Sequence, residues 1–95
     1  MKKLKLMIRE AGNTWNPALN VLRKKGYKLW IEPDKDETDP YTDWRAEKDG
    51  RRFSATDPNI LLGLVAMQEL RGDDWRHQES DTDIYAELYS EAYPD

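Results

Sequence analysis

Residues 57–72 read DPNILLGLVAMQELRG, and the fold turns on what covers this stretch. Asp57 reads as a helix cap, because a short acceptor side chain there takes up a free backbone N–H. Pro58 suits the first helical position, where its missing N–H costs nothing. Gly72 is the stop. Between them Ile60, Leu61, Leu62, Leu64, Val65, Ala66, Met67 and Leu70 surround the axis, leaving Gln68, Glu69 and Arg71 for water. A helix apolar all round is normally buried. Burying each Leu or Ile is worth ~1.5–3 kcal/mol, so cover must come from this chain or from another. Gly63 costs ~1 kcal/mol of helix propensity relative to Ala, which points to a backbone or ring approaching closely.

One side of the cover is legible just upstream. YTDWRAEK (41–48) and RRFSA (51–55) flank Asp49-Gly50, a two-residue hairpin signal. That turn pairs Lys48 with Arg51, Glu47 with Arg52, Ala46 with Phe53, Arg45 with Ser54 and Trp44 with Ala55. Trp44, Ala46, Phe53 and Ala55 then share one face, and Arg45, Glu47, Arg52 and Ser54 the other. The apolar set belongs to the core, and the Glu47–Arg52 pair fits the wet side.

The other side of the cover is expected downstream. Ser80 and Asp83 resemble a capping box. Ile84, Leu88 and Ala92 recur every four residues, flanked by Tyr85 and Tyr89, and Asp83, Glu87 and Glu91 form an opposing acidic stripe. This pattern predicts an amphipathic helix, placed here as the second cover over 58–71.

Upstream of the hairpin, Leu4, Leu6 and Ile8 alternate with Lys3, Lys5 and Arg9, the pattern of a half-buried strand. Asn16-Pro17 opens a short helix carrying Ala18, Leu19, Val21 and Leu22. Arg23, Lys24 and Lys25 suit its last turn, and Gly26 ends it. Tyr27, Leu29 and Ile31 alternate with Lys28, Trp30 and Glu32 as a second strand. If the two strands are adjacent and parallel, their crossover is right-handed. Residues 32–43, EPDKDETDPYTD, hold six acids and two prolines and read as a loop. The expected fold is α+β, one domain over 1–95 in the order β-α-β-β-β-α-α. An acidic loop lies at about 32–40, and the apolar helix sits between a small mixed sheet and the C-terminal helix.

Composition narrows the function. With no Cys there is no disulfide and no thiolate. Lys5, Arg9 and Glu10 interrupt the opening apolar run, so no signal peptide is read there. No apolar run nears the ~20 residues that span a bilayer, and the cytoplasm is the expected compartment. The net charge of −4 divides into +7 over residues 1–28 and −11 over 29–95. A net acidic chain makes a poor nucleic-acid binder, because phosphate contacts need clustered Lys and Arg.

No catalytic constellation is visible. The lone His77 sits in a polar connector, and one His with no Cys supplies no zinc set. The acids of the 32–40 loop brush against a calcium loop but lack its Gly and distal Glu. No glycine motif for a nucleotide is present, and neither cofactor nor metal is expected. Asn13, Thr14 and Trp15, in the loop ahead of the first helix, are the candidates for a small ligand. Trp15 has the best claim of the four tryptophans to exposure. Asp83, Glu87, Glu91, Asp73 and Asp74, with Trp15, are the candidates for binding a basic protein, since charged surfaces speed association. The leading expectation is a non-catalytic, inhibitor-like or phosphate-mimicking protein with a basic partner. The alternatives are a small-ligand binder or enzyme using the 12–16 loop, and a self-associating subunit.

Overall fold

A computed structural model describes residues 3–33 and 43–95. Helix α1 (Trp15–Lys24) leads into three strands, β1 (Lys28–Glu32), β2 (Asp43–Lys48) and β3 (Arg51–Ala55). Helices α2 (Pro58–Arg71) and α3 (Ile84–Ala92) follow. The strands form one antiparallel sheet in the order β1-β2-β3, and the whole is a small α+β domain.

The hairpin has the register read from its turn, from Trp44 opposite Ala55 to Lys48 opposite Arg51. Asp49 and Gly50 both take positive φ, 52° and 77°, as a type I′ turn requires. Ala46 and Ala55 are buried, with Trp44 and Phe53 packed beside them. On the outer face Arg52 lies over the Trp30 ring at 5.3 Å, and Glu47 accepts from Arg52 at 3.4 Å.

α2 begins and ends as its sequence dictates. The Ile60 N–H donates to Asp57 Oδ1 at 2.8 Å, and Gly72 turns the chain at φ 86°. Its cover differs from expectation. Leu61 and Val65 are fully buried against the sheet and against α1, whose Leu22 is equally sealed. The second cover is therefore α1. Every residue of α3 is exposed, and α3 packs extensively on no other element. Two helices compete for one apolar helix, and α1 is favoured because a short turn at Gly26 ties it to β1. A Cβ at Gly63 would meet nothing within 4 Å, so no close approach explains this glycine.

Three further expectations are corrected. Residues 3–10 are exposed and form no strand. Alternation marks which face a strand would bury; a strand also needs a neighbour for its N–H and C=O groups. No parallel β-α-β unit or mixed sheet therefore exists among the described residues. α1 starts at Trp15 with Thr14 at its cap, after a 3₁₀ turn (Gly12–Thr14), so Pro17 is its third residue. That position still lies in the first turn, where an N–H has no helical partner to lose. Asp83, in place of Ser80, caps α3, its Oδ1 accepting from the Ala86 N–H at 3.0 Å. The acidic loop at 34–40 lies outside the described residues.

Two expected outcomes separate this packing from a sandwich built on α3. Leu61→Ala should cost ~2–5 kcal/mol in urea melts, whereas Leu88→Ala should stay within ~0.5 kcal/mol. Equal costs would place α3 in the core after all. Gly63→Ala should stabilise by up to ~1 kcal/mol, and a loss would reveal a constraint on that backbone.

Candidate functional site: the acidic C-terminal helix

α3 is positioned by a connector that wraps one side chain. Arg71, the last residue of α2, donates through Nε to the Trp75 carbonyl at 2.9 Å and through Nη2 to the Arg76 carbonyl at 3.2 Å. Nη2 also meets Asp81 Oδ2 at 2.5 Å, and Nη1 meets Oδ1 at 3.4 Å. The Gln78 N–H donates to the same Asp81 oxygen at 2.9 Å. The Arg71 guanidinium, helped by that N–H, holds the Asp81 carboxyl below the usual carboxylate range. Two residues after Asp81, Asp83 caps α3. Arg71 is the organising residue that the sequence did not disclose, since its partners lie in an irregular segment with no spacing rule.

The helix presents three adjoining rows. Asp83, Glu87 and Glu91 form one, with Asp83 spent on the cap. Ile84, Leu88 and Ala92 form the next. Tyr85, Tyr89 and Tyr93 form the third, a ladder with ring centroids 6.1 and 4.9 Å apart. The acids thus border the apolar face instead of opposing it. Leu88 is 59% exposed and Tyr85 79%, more apolar surface than a nine-residue helix displays without purpose or cost. Residues 79–95 hold six acids and no base.

The connector acids divide. Arg51 grips Asp73 with two bonds, Nε to Oδ1 at 2.6 Å and Nη2 to Oδ2 at 2.8 Å, and Gln68 adds a third at 2.8 Å. Arg51, then Gln68, lower the Asp73 pKa from 3.8 to about 2. That carboxylate staples the connector to the hairpin and is committed within the chain. Asp74 is exposed, and its backbone carbonyl accepts from the Gln78 side chain at 3.4 Å. His77 is exposed, 3.9 Å from Asp81.

The 12–16 loop lies far along the chain from these groups and has its own duties. Thr14 Oγ1 donates to the Ala11 carbonyl at 2.7 Å and accepts from Asn59 Nδ2 at 2.6 Å. It thereby fastens the start of α1 to the start of α2. Trp15 is 37% exposed and sets its ring edge-on to Trp44, centroids 5.8 Å apart. Asn13 is exposed. Beside Asn16 a groove of about 220 Å³ runs between α1 and the sheet, past Leu19, Arg23, Trp30 and Arg45. The Arg45 Nε is buried and has no hydrogen-bond partner among the described residues. Among the described residues no group of three His, Asp or Glu side chains is arranged to hold a metal. No helix among the described residues is long and apolar enough to cross a membrane.

Comparison of the chain with protein-family models, with curated proteins and with solved structures finds no match.

The Asp73 staple has a signed pH consequence. Its folded pKa lies below the unfolded value, so its stabilisation is present above pH 3.8 and is lost as pH falls toward about 2. Asp73→Asn should therefore melt below the native protein at neutral pH, and the gap should close in acid. A gap that is constant across that range would show that the carboxylate charge plays no part.

Proposed function

We propose that the chain is a small, non-catalytic cytoplasmic binding protein whose α3 surface docks a basic protein partner, in the manner of an inhibitor. The observation that carries this is the position of α3, held off the core with its apolar rows open and two carboxylates, Glu87 and Glu91, beside them that pair with no described residue. Apolar rows supply contact area, and bordering charges steer the encounter and select its sign. Asp74 extends the negative surface toward the connector. Asp73 and Asp83 are engaged in holding the chain's own shape, and so the partner-facing set narrows to Glu87, Glu91 and Asp74. Trp15 belongs to a separate surface at the start of α1.

A second reading is favoured by one specific feature, the unpartnered Arg45 Nε at the groove beside Asn16. A small anionic ligand in the groove would meet Arg23 and Arg45, the two cations that line it. The groove is open and borders the 12–16 loop through Asn16 alone, so this reading has less behind it than the α3 surface.

Glu87→Lys with Glu91→Lys should abolish capture of a basic protein from the native host at low salt while leaving the far-UV spectrum unchanged. Capture by the native chain should itself weaken as salt is raised, because screening sets in over ~10 Å at 0.1 M. Capture indifferent to both changes would remove α3 from the interface.

A further inference from the structure

The segment 3–10 is the counterpart of α3 in every respect that the structure displays. It is exposed throughout, with Leu4, Leu6, Met7 and Ile8 each more than two-thirds in water. It is basic where α3 is acidic, with Lys3, Lys5 and Arg9 against the single acid Glu10. Neither element is covered by the chain that carries it. We propose that α3 is the docking site for the 3–10 segment of a second copy of this chain, in a reciprocal two-fold dimer. This assignment rests on the reading of α3 as a docking face and names its basic partner.

The two elements match in pitch. In an extended chain, side chains two apart are ~6.6 Å from each other on one face. On a helix, residues four apart are ~6.0 Å from each other along the axis. Leu4, Leu6 and Ile8 therefore step along a ridge at nearly the interval of Ile84, Leu88 and Ala92. Lys3 and Lys5 alternate with that ridge, and their long stems bend past the backbone toward Glu87 and Glu91. An extended segment laid along the groove between the acidic and tyrosine rows keeps its N–H and C=O groups pointing sideways to water, so burial of its leucines strands no backbone group.

The exposure of both elements selects a second copy over the same chain. The bond from Asn59 to Thr14 fixes the root of the segment at the start of α2. Arg71 fixes the connector to α3 at its other end. Across its 14 residues α2 is about 20 Å long. Leu4 lies seven residues from Ala11 and spans that distance at full extension, yet the segment leaves its own α3 uncovered, since residues 3–10 and 84–92 are all exposed. In a reciprocal pair each segment lies on the other's α3, and both contacts form at once. That is the self-complementary arrangement of a closed two-fold dimer.

The test is charge exchange, read by sedimentation equilibrium of the full chain. One variant carries Lys3→Glu, Lys5→Glu and Arg9→Glu; the other carries Glu87→Lys and Glu91→Lys. The native chain should be a dimer at low salt and dissociate as salt rises. Each variant alone sets like charges face to face, and its dimerisation midpoint should move to at least ~10-fold higher concentration. An equimolar mixture should restore the native midpoint as a heterodimer, because both of its contacts again join opposite charges. Restoration also shows that both variants fold. A native chain that is monomeric at low salt overturns the assignment, as does a mixture that associates no better than its components. If that monomer still captures a foreign basic protein through Glu87 and Glu91, the docking face survives and only the second copy is refuted.

Discussion

The fold is governed by the need to cover α2. Leu61 and Val65 admit no water, and Pro58 is sealed at the first turn. A helix with apolar side chains all round cannot be shielded by one flat layer, so a sheet alone leaves half of it wet. The sheet supplies Ala46, Ala55, Phe53 and Trp44, and α1 supplies Leu22 beside them. The small alanines on the sheet let α2 approach closely, and the large rings stand around the contact. Tyr27 and Phe53 meet edge to face with centroids 6.1 Å apart, closing one flank. Trp15 and Trp44 close another. The rings seal edges that so short a sheet cannot. The cover is still incomplete, since Leu70 at the end of α2 is almost fully exposed.

Polar contacts then hold the layers in place without entering the core. Lys48 donates to the Lys25 carbonyl at 2.7 Å and lies over the Tyr27 ring at 5.5 Å, binding the end of α1 to the hairpin. Lys25 reaches Glu69 of α2 at 2.9 Å, and Glu69 accepts from the Tyr27 hydroxyl at 3.4 Å. Burial, then the Glu69 carboxylate, raises the Tyr27 pKa, which keeps that hydroxyl a donor. These groups lie at the surface, where single ion pairs add little stability. Their effect is on register, since each joins elements distant in sequence.

What the sequence disclosed follows a physical division. The hairpin register was legible because a two-residue turn leaves one pairing, and every side chain falls on the correct face or none does. The bounds of α2 were legible because caps and stops are local chemistry at Asp57, Pro58 and Gly72. The identity of the second cover was not. Amphipathic periodicity at 84–92 and at 15–24 shows that each helix has an apolar face, and it carries no information on which face meets α2. The same limit explains the 3–10 segment, whose alternation is genuine and whose neighbour is absent. At the candidate site, the spacing of Glu87 and Glu91 was readable. The commitment of Asp73 to Arg51 and of Asp83 to a cap was hidden, because both depend on where an irregular connector runs.

The mispredicted elements are the ones with apolar surface to spare. Residues 3–10 and α3 each carry the pattern of a structural element that should be half-buried, and the chain gives neither a place to bury it. Their opposite charges keep each from collapsing onto its own kind, since like charges at matching pitch repel. In the proposed dimer the same charges draw the basic segment toward the acidic helix. The core from α1 to α2 needs neither element for its packing, so their surfaces are free to respond to salt and to a partner without loosening the fold. Stability resides in the layers around Leu61, and the proposed recognition falls to the two elements those layers leave uncovered.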